Sequence, residues 1–247
     1  MIRNLPDGVC PGANRNPQGT ARQVSNRKSQ SSHPANLRRA GGWAKLAWMT
    51  VLRPYRSDDR DAVYEICLRT GASGEDASGM LRDPDLLGHV YAGPYVTLES
   101  ELAFVVVDDD GVGGYILGAA DTAAFEERVE REWWPDLRRR YPTWRTGGDV
   151  TFDDVLVARM HSPRATSAAL VADYPSHLHI DLLPRLQGQG WGRRLVDTLA
   201  ARLRSAGSSG VHLGVAAENT RAHDFYRRVG FTEVARDERS VTFAMRL

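Results

Sequence analysis

Cysteine is almost missing from this chain. Its 247 residues hold two, Cys10 and Cys67. Neither belongs to a CxxC pair or has a metal-ligand neighbourhood, so disulfide and zinc readings are unsupported, and no metal is expected. No apolar run reaches 18 residues, so no transmembrane helix and no membrane partner are expected. The N-terminus lacks the apolar core of a secretory signal, which leaves the cytoplasm as the default location. Lysine is as scarce as cysteine: Lys28 and Lys45 are the only two, and every other basic residue is arginine. That bias fits a GC-rich bacterial genome better than a functional choice.

Charge is unevenly spread. Residues 1–48 carry eight Lys/Arg against one Asp/Glu, whereas the remainder carries 24 basic and 30 acidic residues. A near-neutral, slightly acidic main segment has no footprint for nucleic acid, and no nucleic-acid partner is expected. Residues 1–48 are rich in Asn, Gln, Ser, Arg, Gly and Pro without periodicity, and read as a disordered basic extension. A start codon placed too far upstream accounts for that stretch; a basic arm for an acidic partner is the alternative. A domain then runs from Met49 to Leu247, and 42% hydrophobic residues suffice for its core.

The order of elements is legible along this domain. Val51–Arg53 reads as a short strand, and Ser57 as the cap of a helix through Leu68, with Asp58, Asp59 and Asp61 at its positive end. Residues 71–79 read as flexible and Gly88–Val96 as an aromatic connector. Leu102–Val107 and Tyr115–Ala119 are strands joined through an Asp/Gly turn, and Phe125–Arg140 is a helix. Within 143–175 a strand or loop is expected around Val155–Val157. Ser176–Leu183 is the central strand, Val211–Val215 the next, and 231–235 with 240–246 a closing hairpin. This is an α/β (α+β) chain: a mixed, twisted sheet of six to seven strands flanked by helices. Trp133, Trp134, Tyr141 and Trp144 are expected in the core or at an interface, and Arg138–Arg140 at a solvated helix end.

Between the central strand and the next helix lies Gln187-Gly188-Gln189-Gly190-Trp191-Gly192. A glycine-rich turn before a helix offers backbone N–H groups at the positive end of a dipole, which suits a pyrophosphate. It lacks the Lys-Ser/Thr of a P-loop and the Gly-x-Gly-x-x-Gly spacing of a dinucleotide site. About thirty residues on comes Asn219…Ala222…Phe225-Tyr226…Gly230-Phe231, with Asn219 placed to cap a helix and Gly230 to end it.

Together these two segments resemble the Gcn5-related N-acetyltransferases, whose signature is Q/R-x-x-G-x-G/A followed by an Asn…Ala…Tyr…Gly-Phe motif. The resemblance runs from Val51 to Leu247. Within it, Phe125…Trp133-Trp134-Pro135…Tyr141-Pro142 and Ser176–Asp181 resemble the acetyltransferase-like domain at the C-terminus of animal O-GlcNAcase and its free-standing bacterial relatives. No glycoside hydrolase is present here, so that activity is not implied. The resemblance implies a GNAT fold and an acetyl-CoA-dependent N-acetyltransferase acting on a small-molecule or protein amine. The alternative is a CoA-binding scaffold. The implied cofactor contacts are Gln187, Gly188, Gln189, Gly190, Trp191, Gly192, Arg193 and Asn219, with a backbone N–H near Leu182 or Leu183 as oxyanion donor. Arg194 or Arg227 could equally meet the CoA 3′-phosphate. Tyr226 matches the motif tyrosine and is the expected acid for the CoA thiolate.

The base comes from a different pattern. His177, His179 and Asp181 alternate and so share one face of the central strand. Three polar groups on a buried face need partners or a wet cleft. His179 and Asp181 lead as base candidates, ahead of His177; a structural His–Asp bond pinning the strand is the competing reading, and a β-bulge would change which of them faces the cleft. Dimerisation, frequent in this fold, is left open, as is the acceptor amine.

Overall fold

The computed structural model describes residues 50–143 and 149–247; the basic stretch 1–48 and Trp144 lie outside these described residues. The described residues form a seven-stranded sheet in the order β1-β2-β3-β4-β5-β7-β6. The strands are β1 (Val51–Pro54), β2 (Ala103–Asp108), β3 (Gly111–Ala119), β4 (Ser176–Leu182), β5 (Gly210–Ala216), β6 (Thr232–Arg236) and β7 (Ser240–Arg246). Every neighbouring pair is antiparallel except β4 and β5. That one parallel pair needs a long crossover, supplied by the helix between them.

Alternation along the strands sorts side chains into two layers. On one face Tyr115, Leu117 and Ala119 of β3 join a core built by α1 (Arg60–Arg69), α2 (Asp85–Tyr91), α3 (Gly93–Leu98), α4 (Thr122–Arg128), α5 (Trp134–Arg140) and α6 (Phe152–His161). On the other, Phe104, Ile116, Leu178 and Leu213 pack under α8 (Trp191–Ser205) and α9 (Thr220–Arg228). Helix α8 turns Leu195, Val196, Leu199 and Leu203 inward at three- and four-residue spacing. Burying such side chains contributes about 1.5–3 kcal/mol each. Gly118 admits α8 to the sheet: a Cβ there would lie 2.7 Å from Leu199 Cδ1.

Several local readings change. Gly88–Val96 is not a connector but the end of α2 and the start of α3, which break at Ala92; the segment is buried throughout, so no amphipathic period marks it. Val155–Val157 lies in α6, not in a strand or loop, and Thr151 and Asp154 form a capping box at its start. Ser57 opens a 3₁₀ turn rather than capping a helix, and Asp59 Oδ2 accepts the Arg56 N–H at 2.8 Å. The 125–140 helix begins at Thr122, capped by Asp121, and widens into a π-turn over Val129–Trp133 before α5. Trp134 is buried in the core, and Trp133 donates to the His89 carbonyl. A short helix, α7 (Ala168–Asp173), precedes β4.

Candidate active site

The site begins where two central strands part. Strand β4 pairs with β3 over six positions, from Ala119↔His177 to Gly114↔Leu182, without a register shift. It pairs with β5 only at Ser176↔Val211 and His177↔His212. Beyond those pairs the two strands diverge and leave a cleft.

Ladder parity fixes which backbone groups face the cleft. The Leu183 N–H donates to the Gly113 carbonyl at 2.8 Å. Gly114 and Leu182 are therefore a non-hydrogen-bonded pair, and Leu182 turns its N–H and C=O away from β3, toward the opening. The Leu182 carbonyl accepts from Gln187 Nε2 at 2.7 Å. Of the two expected oxyanion donors, Leu183 is already engaged and Leu182 is aimed at the cleft.

The glycine turn closes one wall. Gly188 (φ +73°) and Gly190 (φ +83°) adopt left-handed backbone, and a Cβ on either would point into open space. The first-turn N–H groups of α8, on Trp191, Gly192 and Arg193, have no acceptor inside the helix and carry its positive dipole end. These features fit a pyrophosphate. Gly192 serves another purpose: a Cβ there would sit 2.8 Å from the Phe225 ring, so its glycine lets α8 and α9 touch. Gln187 Oε1 accepts from Arg221 at 2.6 Å, which ties the turn to α9. Gln189 Nε2 donates to the Arg185 carbonyl at 2.5 Å, and Arg193 to that of Arg228 at 2.5 Å. Arg194 lies over the Trp191 ring.

Asn219 caps α9 by accepting the Ala222 N–H at 3.1 Å. Its Nδ2 donates to the Ser73 carbonyl at 2.8 Å, and Ser73 Oγ donates to Glu218 at 2.9 Å, so the 71–75 segment is tied to the start of α9. Tyr226 is buried among Phe225, Phe231 and Phe243. Burial, and then the charge of Asp181, push its phenol well above the ordinary value, which keeps it protonated.

The three alternating polar residues of β4 do share one face, but they have different surroundings. His177 is held by partners: Thr122 Oγ1 donates to the Pro175 carbonyl at 2.6 Å and lies 2.9 Å from His177 Nδ1, while Tyr95 Oη lies 2.7 Å from Nε2. With the threonine proton committed to Pro175, Nδ1–H donates to Thr122, and the Tyr95 hydroxyl holds the other ring nitrogen, so both nitrogens have protein partners. Asp181 Oδ2 accepts from Tyr115 Oη at 2.5 Å. Burial raises its pKa, and the Tyr115 bond acts against that rise. His179 lies edge-on to Tyr95, with ring centroids 5.1 Å apart, and lines a pocket of about 100 Å³ at the mouth of the cleft.

A cleft between parted parallel strands, a glycine turn at a helix start and a buried tyrosine beside them invite comparison with known proteins. The acetyltransferase (GNAT) family pattern matches residues 98–231. This chain belongs to the GNAT family. The solved structure of SsHAT is 41% identical, covering 80% of this chain and 98% of SsHAT, with a TM-score of 0.75. The structure of PH1933 from Pyrococcus horikoshii OT3 shares the fold at 14% identity, covering 81% of this chain and 99% of that one, with a TM-score of 0.51. Protein O-GlcNAcase of Rattus norvegicus is 25% identical over 191 residues, and that of Mus musculus is 25% identical over 189; each match covers 76% of this chain. The GNAT chain spans 20% of the length of these curated relatives.

Sequence reasoning missed Tyr115, Tyr95 and Thr122, the partners of Asp181 and His177. Their signal was the β3–β4 register, which sets Tyr115 opposite Asp181. It also missed Glu126 on α4, Arg159 on α6 and Arg164 just beyond it, which only tertiary packing brings to one pocket wall.

Proposed function

We propose that this GNAT protein is an N-acetyltransferase that moves an acetyl group directly from acetyl-CoA to an amine. The observation that carries this reading is the Leu182 N–H, aimed into a cleft that opens beside the N-terminus of α8. Acetyl-CoA supplies the acetyl group as an activated thioester. Gly188, Gly190 and the first turn of α8 hold its pyrophosphate through backbone N–H groups. Leu182 N–H stabilises the charge that grows on the carbonyl oxygen as the amine nitrogen bonds to the acetyl carbon. As the carbon–sulfur bond breaks, Tyr226 gives its proton to the leaving sulfur.

His179 takes the proton of the attacking amine. It lines the pocket at the cleft mouth, whereas the Asp181 carboxyl is held by Tyr115 on the α1 side. Asp181 tunes the site electrostatically, since its charge acts on both Tyr115 and Tyr226.

The test is amine-dependent release of CoA by the full chain across a panel of amines, with product mass measured. Transfer of 42 Da to an amine, about the mass of an acetyl group replacing a proton, supports the reading. Acetyl-CoA binding without transfer to any amine would favour a scaffold role.

A further inference from the structure

The pocket beside His179 has a chemistry of its own. Its wall includes Tyr91, Glu126, Arg159, Arg164 and Thr166, contributed by α2, α4, α6 and the segment after α6, together with His212 and Gly214 of β5. It therefore lies on the sheet face opposite α8 and opens at the point where β4 and β5 part.

The pocket's charges are unequal. Glu126 is the carboxylate of the wall, and it is occupied: Oε1 accepts from Thr166 Oγ1 at 2.7 Å and from Thr166 N–H at 3.1 Å, and Oε2 lies 3.2 Å from the same N–H. That clasp ties Thr166 to α4 at the pocket wall. Against this one anchored carboxylate stand two guanidinium groups, Arg159 and Arg164. Arg159 lies over the Tyr91 ring, 5.4 Å from its centroid, which restricts its swing. A guanidinium carries five N–H donors, so it can serve a protein acceptor and a ligand together. Two arginines are matched to an oxyanion, which they bind through paired N–H donors.

Size narrows the class. The pocket, at about 100 Å³, is smaller than a cavity of roughly 150 Å³ that holds benzene. The pocket is open on one side, so its enclosed part suits a compact end group while the rest of the acceptor lies outside it.

Resting on the N-acetyltransferase reading, we propose that this pocket holds the anionic end of a small acceptor, an amine bearing a carboxylate or a phosphate monoester, with Arg159 and Arg164 as the anion's partners. The anion then anchors the acceptor while its amine faces His179 and the cleft.

The test compares β-alanine and γ-aminobutyrate with O-phosphoethanolamine and with n-propylamine, using the full chain and measuring both CoA release and direct calorimetric binding. The variants are Arg159→Gln, Arg164→Gln and Arg159→Lys. The expected result is that anionic amines bind and are acetylated in preference to n-propylamine. Each Gln variant raises KM for them at least tenfold, leaving kcat, acetyl-CoA affinity and n-propylamine turnover unchanged. Arg159→Lys recovers part of the loss. Preference between the carboxylates and phosphoethanolamine identifies the anion. Equal or better use of n-propylamine, or Gln variants that affect all amines alike, would overturn the proposal. If no amine is acetylated, the N-acetyltransferase reading fails. The subsite is still decided by direct titration: saturable binding of β-alanine or phosphoethanolamine that the Gln variants lose supports it, and its absence overturns it.

Discussion

Tyr115 and Asp181 stand directly opposite each other across β3 and β4, and the tyrosine donates to the carboxylate at 2.5 Å. Asp181 is raised by burial, so in the folded protein its proton is held more tightly than in the unfolded chain. Its contribution to stability is complete below the ordinary carboxylate pKa and is lost as pH rises through the raised folded value. Asp181→Asn keeps an oxygen acceptor for Tyr115 and removes the buried charge. Denaturant midpoints for the variant and wild type are expected to be similar at pH 4, with the variant gaining as pH rises to 8, while amine-dependent turnover falls. A variant that is less stable at pH 8 than at pH 4, relative to wild type, would make Asp181 a structural ion instead.

Tyr226 is protonated, buried and packed on aromatic rings. Tyr226→Phe preserves that packing and removes the proton. Turnover is expected to fall on the order of 100-fold with acetyl-CoA affinity within about threefold of wild type. Steady-state rates with calorimetry check this, and unchanged turnover would exclude the tyrosine as acid.

The glycines of the turn separate by substitution. At Gly192 a Cβ meets the Phe225 ring at 2.8 Å, so Gly192→Ala is expected to cost about 1–3 kcal/mol of stability through overpacking of α8 on α9. At Gly188 the space is open and the positive φ alone is strained, so Gly188→Ala is expected to cost about 1–2 kcal/mol. Thermal and denaturant unfolding measure both.

Leu182 N–H takes no part in the β3 ladder, whereas Leu183 N–H does. Proline at each position removes one N–H. Leu182→Pro is expected to leave the fold in place and lower turnover on the order of 100- to 1000-fold, the loss expected for one oxyanion donor. Leu183→Pro is expected to destabilise the β3–β4 edge. Circular dichroism with rate measurements distinguishes them, and a fully active Leu182→Pro would place the oxyanion donor elsewhere.

Much of this was legible in the sequence because local chemistry is written locally. Asn219 caps α9, Gly230 ends it at φ +103°, and the alternating strands and the amphipathic face of α8 follow their periods. The turn at 187–192 and the polar alternation of β4 belong to the same class. Buried helices without a polar face were not legible: Gly88–Val96 is buried throughout, so no period distinguishes α2 and α3 from a connector. Nor were contacts set by register or by tertiary packing. That His177 meets Thr122 and Tyr95, and that it shares a pocket with His179, depends on helices far away in sequence. The β4–β5 cleft is likewise a property of two strands diverging, which neither strand records alone.

The central claim is that the α8 turn holds acetyl-CoA. Calorimetric titration of acetyl-CoA into the full chain, beside Gly190→Glu, tests it most directly. Gly190 lies in open space at the head of α8, so a glutamate there sets a negative charge where the pyrophosphate is held. The expected result is saturable one-to-one binding by wild type, abolished in a variant that remains folded by circular dichroism. Absence of binding to folded wild type, or equal affinity in the variant, would contradict the account.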